Sequence, residues 1–188
     1  AARGEYIPKK SDINFMIVLS EEGIQRFGKA LPLVTQWKKR MVSTPLFLTP
    51  GYISSSLDTF PIEFLNMQAA YRVVYGEDVL QGLAFDRRLV RLQCERELKG
   101  KLLQLRQNFL ETEGGRRPIQ MLIIASLPTF FSIFQAVLFL KGSRPVIGKD
   151  RLVAGMAQEA GLDSALFLDL IAVREGRKKL SSADAVPL

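Results

Sequence analysis

Three side chains in the N-terminal half of this 188-residue chain could share one hard cation: Asp12, Asn14 and Glu63. Asp12 and Asn14 are two apart, at the start of the apolar run INFMIVL over residues 13–19. On an extended strand both therefore point to the same face. Glu63 is the only acidic residue in FPIEFLNM, residues 60–67, which reads as a later strand with Pro61 near its start. If the two strands are neighbours, the three oxygen-bearing side chains meet at one end of a sheet. Such a donor set suits Mg²⁺, and a Mg²⁺ ion can hold a triphosphate and stabilise the charge that develops during phosphoryl or nucleotidyl transfer. The same residues also have plainer readings: Asp12 as a turn or cap residue, and Glu63 as an edge-strand charge that discourages sheet-edge pairing.

Composition narrows the chemistry further. The chain contains no histidine and one cysteine, Cys94. Ser–His–Asp and Cys–His catalysis, His-based zinc sites and an intrachain disulfide are therefore excluded. A single unpaired cysteine fits a reducing compartment, so a cytoplasmic location is expected. The formal net charge of +7 favours anionic partners such as nucleotides, nucleic acid or membrane surfaces, alongside the reading of a surplus of surface Lys and Arg. At 47% hydrophobic and 24% charged residues the chain reads as globular. Arg3, Glu5, Lys9 and Lys10 occupy its start with no apolar run, so no secretory signal is expected there.

The elements that must position these residues follow from periodicity and caps. Residues 13–19 form a first strand, Ser20 caps a helix bearing Ile24, Phe27, Leu31 and Val34, and Pro32 kinks or divides that helix. PLFLTP gives a second strand ending at Thr49, which with Pro50 starts a short helix through Ser56. Residues 60–67 and the segment YRVVYG complete a small mixed sheet. Asp86 caps a long helix to Glu111, with Leu89, Leu92, Leu98, Leu102, Leu105 and Phe109 as its apolar face and the pairs Glu95–Lys99 and Glu97–Lys101 on wet faces. Helices over residues 119–140, 150–160 and 163–175 follow, the last two ended by Gly161 and Gly176, and SSAD signals one more. The uncharged stretch 119–140 is long enough to cross a bilayer and is flanked by Arg116, Arg117 and Lys141. Its Gln120, Ser126, Thr129, Ser132 and Gln135, with Pro128, read instead as a helix touching neighbours all round inside a bundle. The fold class expected is α+β: a small mixed-sheet domain over residues 1–85, then an all-α bundle over 86–188.

The opening AARGEYIPKKSDINFMIVL resembles the signature of the nucleotidyltransferase superfamily of the DNA polymerase β type. In that family a Gly-Ser pair precedes Ala-Arg-Gly and then Ser-Asp-x-Asp, which runs into an apolar strand. Ala2, Arg3, Gly4, Ser11 and Asp12 match this order, and Glu63 falls where members place a third acidic residue. The helical half resembles, in architecture, the C-terminal bundle of the kanamycin nucleotidyltransferase group. The resemblance implies that Asp12 binds the catalytic Mg²⁺ and that Glu63 is a further ligand or the base for an acceptor hydroxyl. It also implies that Ser11 lies beside the triphosphate, while Arg3, with Gly4 beside it, steadies the loop or meets phosphate. The family's Gly-Ser and its leading strand would stand before Ala1, and the helix after SSAD stops at Leu188, so both domains are expected to be incomplete at their outer ends. Asn14 replaces the family's second carboxylate, and its neutral carbonyl is expected to weaken metal binding.

Two functions follow from this reading. One is Mg²⁺-dependent transfer of a nucleoside monophosphate from an NTP to a hydroxyl acceptor of unknown identity, impaired to the extent that Asn14 matters. The other is a non-catalytic module whose bundle offers a homodimer or partner surface. Lys9 and Lys10 read as a solvated loop. Arg87, Arg88, Arg91 and Arg96 lack interleaved aromatics and sit beside Glu95 and Glu97, so they read as a mixed wet face rather than a nucleic-acid site. Trp37, Tyr71 and Tyr75 read as packing residues.

Overall fold

Local signals lay out the N-terminal unit. In the computed structural model, which describes residues 13–40 and 42–178, strand β1 is Met16–Val18. Ser20 ends the extended run, its hydroxyl accepting from the Gly23 N–H (3.1 Å) to cap α1, Glu21–Ile24. A 3₁₀ turn, Phe27–Ala30, leads into α2, Leu31–Lys39. The expected division by Pro32 occurs, and Pro32 lies in the first turn of α2, where a missing N–H leaves no helical bond unmade. Strand β2, Leu46–Leu48, returns parallel to β1 with Met16 opposite Leu46 and Val18 opposite Leu48. Parallel strands need a crossover, and α1 to α2 supply it. Thr49 then accepts from the Tyr52 N–H (3.1 Å) and Pro50 opens α3, Pro50–Ser56.

The next element departs from the sequence expectation. Residues 60–67 do not form a third strand; they lie within α4, Pro61–Ala69, preceded by Phe60. Pro61 and Phe64, and likewise Ile62 and Leu65, are three apart and all four are buried, which is a helical stripe rather than strand alternation. YRVVYG is not a strand either. Its Val73, Val74 and Tyr75 are exposed, Tyr75 at 97%, so Tyr75 is not a packing residue. Tyr71 does pack, and its hydroxyl donates to Asp78 (2.7 Å), which also accepts from the N–H groups of Leu80 (3.1 Å) and Gln81 (3.0 Å). Among the described residues the sheet is therefore two parallel strands and not a mixed sheet. Its core is Leu48, Ile53, Phe64 and Leu80, with Met16, Val18, Leu57 and Met67 packed against them.

The chain divides at Phe85 and Asp86, and the regular elements among the described residues of the second unit are all helices. Asp86 accepts from the Arg88 N–H (2.8 Å) and caps α5, Arg87–Glu111. After a turn at residues 112–115, α6 runs Arg116–Leu140 with Pro128 inside it. The Arg87 guanidinium reaches the last carbonyls of α6, Phe139 (3.5 Å) and Leu140, so the two helices are antiparallel. Helix α7, Lys149–Ala160, ends at left-handed Gly161 (φ 65°), and α8, Ser164–Arg174, is capped by Asp163, which accepts from the Leu166 N–H (3.1 Å).

Packing is concentrated on the second half of α6. Leu127, Phe131, Phe134 and Leu138 meet Leu152, Val153 and Met156 of α7 and Ile171 of α8. A Cβ on Gly155 would lie 3.0 Å from Leu138 Cδ1, so glycine permits the close approach of α6 and α7 there. Phe134 stacks edge-on to Phe167 at 5.2 Å. Buried Gln135, with its amide nitrogen toward Val146, donates to the Val146 carbonyl (3.1 Å) and accepts from its N–H (3.0 Å), which ties down the loop before α7. Helix α6 is long and apolar enough to cross a membrane, but 44% of its apolar stretch is buried within the protein.

Helix α5 is oriented differently from the sequence expectation. Its buried residues are Val90, Gln93 and Cys94, while Leu92, Leu98, Leu102 and Phe109, expected on the packed face, are 63%, 41%, 49% and 42% exposed.

Candidate functional site

Arg3, Gly4, Ser11 and Asp12, and the SSAD segment at residues 181–184, lie outside the described residues. Asn14 is described. It is exposed and stands between Ile13, which bridges to Val42, and the first residues of β1. The carbonyls on either side of it, Ile13 and Phe15, accept from the N–H groups of Ser43 (3.0 Å) and Leu46 (2.9 Å), which fixes the backbone at this end of the sheet. By the two-residue alternation of extended chain, Asn14 shares its face with Met16 and Val18.

Glu63 is exposed in the first turn of α4, where a carboxylate is favoured by the positive end of the helix. The expected route, two neighbouring strands converging at one sheet end, is thus replaced by a strand and a helix. The link between them is the core: Met16 and Val18 of β1 join the cluster that contains Phe64, the residue after Glu63. The sheet face that carries Asn14 is therefore the face packed into the same core as α4.

As donors for a hard cation, Asn14 and Glu63 contribute one neutral and one charged side chain. Among the described residues no three His, Cys, Asp or Glu side chains gather into a metal-binding group. Asn14 and Glu63 are each chemically suitable as oxygen donors to a hard cation.

Three other features bear on function. An open depression of about 510 Å³ is lined by Pro50, Ile53, Ser54, Leu57, Val79 and Leu83, with Asp78 on its wall. The hydrogen bond from Tyr71 holds the Asp78 carboxyl below its ordinary pKa, aided by the Gln81 and Leu80 N–H groups, and raises that of Tyr71. Asp78 is thereby a loop-organising acceptor. Sequence reading missed it, although an Asp followed by N–H groups two and three residues on is a recognisable turn signal.

Cys94 is buried, and burial, with Glu95 and Glu97 nearby, pushes its pKa up to about 11, so it is a protonated, unreactive thiol at neutral pH. The basic start of α5 is engaged locally: Arg88 with Asp86 (2.9 Å), Arg91 with Glu95 (2.8 Å), and Arg96 near Glu97 (3.8 Å). These contacts make a mixed wet face. Glu95 is hydrogen-bonded to Arg91, one turn before it, and Lys99 acts on it by a weaker Coulombic attraction.

Comparison with protein-family models, with curated proteins and with solved structures finds no match to this chain.

Proposed function

We propose that the chain is a nucleotidyltransferase-like protein that binds Mg²⁺ and a nucleoside triphosphate at the segment running from Arg3 through Asn14 into β1. The observation that supports it is the shared core: β1, which the motif residues lead into, and α4, which carries Glu63, pack into one cluster through Met16, Val18 and Phe64. On this reading Asp12 is the principal metal ligand and Asn14 a weaker one, and Glu63 acts as a further ligand or as base for the acceptor hydroxyl. Ser11 lies beside the triphosphate on the same reading, and Arg3, with Gly4, steadies the loop or meets phosphate. Bound Mg²⁺ supplies charge neutralisation of the triphosphate.

The test is transfer of label from an NTP to a hydroxyl acceptor, dependent on Mg²⁺. The reading requires NTP binding that is lost in Asp12→Ala. It also requires tighter Mg²⁺ binding in Asn14→Asp, because a charged oxygen replaces a neutral one. NTP binding unaffected by Asp12→Ala would refute it.

A second reading is a non-catalytic interaction module. The neutral Asn14 favours it, as does the exposure of Glu63 on a helix whose first turn accounts for an acid without any metal. Calorimetry with Mg·ATP separates the two, since an absence of binding heat leaves only the second.

A further inference from the structure

Helix α5 presents a second apolar face that no described element of its own unit covers. Past its midpoint, Leu98, Leu102 and Phe109 form one row, at spacings of four and seven residues. Leu103 and Leu110, seven apart, form a neighbouring row. Leu103 is 66% and Leu110 77% exposed. Leu98, Leu102 and Phe109 are 41%, 49% and 42% exposed, so the two rows together leave apolar surface open of the kind that often marks an interaction site. Along the axis the patch spans about 18 Å, a little over three turns.

Between the two rows stand Lys99 and Arg106, also seven apart, and both are exposed. Glu95, the acid one turn before Lys99, is hydrogen-bonded to Arg91 at 2.8 Å and is drawn more weakly, by Coulombic attraction, to Lys99. No acidic residue lies in the chain between Leu98 and Leu110, and of the three cations there, Lys99, Lys101 and Arg106, two, Lys99 and Arg106, stand at heptad spacing between the apolar rows.

That arrangement discriminates among occupants. A second copy pairing through the same helix face would set Lys99 and Arg106 against like charges, which is destabilising. A lipid surface is met by helices whose cations flank the apolar face and reach the headgroups, whereas here the cations occupy the middle of it. A helix with apolar residues in two rows and carboxylates seven apart between them satisfies both the leucines and the cations. We propose that the outward face of α5 around Leu103, Leu110, Lys99 and Arg106 docks an acidic amphipathic helix of a partner protein, in the manner of an amphipathic helix laid along an apolar surface. All of its residues belong to α5, and none to the site proposed above for nucleotide.

The test uses the full chain and two fluorescent synthetic helical peptides with the same leucine pattern, one with glutamates and one with lysines at heptad-spaced positions between the leucines. The glutamate peptide is expected to bind, more weakly as salt rises, and the lysine peptide to bind at least about tenfold less tightly. Lys99→Glu with Arg106→Glu should reverse that preference. Leu103→Ser with Leu110→Ser should weaken the glutamate peptide by about tenfold or more while leaving the circular dichroism and melting temperature unchanged, because both side chains are already in water. An unchanged order of the two peptides in the charge-reversed variant overturns the proposal, as does failure of the native chain to bind the glutamate peptide. Binding to phosphatidylglycerol–phosphatidylcholine vesicles that depends on the two leucines, with neither peptide bound, assigns the face to a membrane instead. A dimer in sedimentation that Leu103→Ser with Leu110→Ser dissociates assigns it to a second copy.

Discussion

The two ends of the α5–α6 pair differ in what surrounds them. At the end where α5 begins and α6 finishes, α7 and α8 add a third and fourth surface, and Phe134, Ala136 and Leu138 of α6 are 5% exposed or less. At the other end, around the turn at residues 112–115, the pair stands without α7 and α8 in its core cluster, and Leu103, Leu110 and Met121 are more than half exposed. The two helices are nevertheless equally long and continuous throughout. Hydrogen bonds along a helix axis maintain its length, whereas burial requires neighbours, so one hairpin can be a structural core at one end and an exposed apolar surface at the other.

Substitutions grade this contrast. The largest effect is expected for Phe134→Ala, which removes a ring held between Phe131, Phe130 and Phe167 at the packed end and should cost about 3–5 kcal/mol in urea unfolding of the helical unit. Gly155→Leu comes next: with a Cβ already 3.0 Å from Leu138, the larger side chain forces α6 and α7 apart at about 1–3 kcal/mol, seen as a lowered urea midpoint. Asp163→Ala removes the α8 cap and should cost about 1 kcal/mol, visible as a fall in melting temperature. At the open end Leu110→Ala should change stability by no more than about 0.5 kcal/mol; a loss as large as that of Phe134→Ala would mean that the open end is covered after all.

The smallest expected effect is one of pH. Hydrogen bonding to Arg88 lowers the pKa of the α5 cap Asp86 in the folded protein. Because the folded value lies below the unfolded one, its contribution is fully present above the ordinary carboxylate range and is lost as pH falls through the lowered pKa. Asp86→Asn keeps a neutral cap and should flatten this acid limb of the stability curve.

Legibility varied with the range over which each signal acts. The cap at Thr49, the helix from Pro50 to Ser56 and the helix from Asp86 to Glu111 were readable because a cap and its N–H donors lie within three residues of each other. The strand assignment for residues 60–67 failed because a short apolar run suits either element. The deciding pattern was present in the spacing of Pro61, Ile62, Phe64 and Leu65, with Pro61 at a helix start. Tyr75 was misplaced because an aromatic side chain carries no local mark of burial. For the candidate site, Asn14 and Glu63 were identifiable as oxygen donors, but their relation passes through the cluster that Met16, Val18 and Phe64 join, which exists only in the folded unit.

The sequence by itself determined where the capped helices begin and where α7 and α8 end. Ser20, Thr49, Asp86 and Asp163 accept backbone N–H bonds at their starts, and Gly161 and Gly176, with φ of 65° and 77°, stand at their ends. Only the tertiary structure decided which side of α5 is buried. That helix carries apolar residues on opposite faces, Val90 and Cys94 on one and Leu103 and Leu110 on the other, so its own pattern names no inner side. Capping is satisfied by the chain's immediate neighbours, while burial is a property of pairs of surfaces, and the surface that chose was α6.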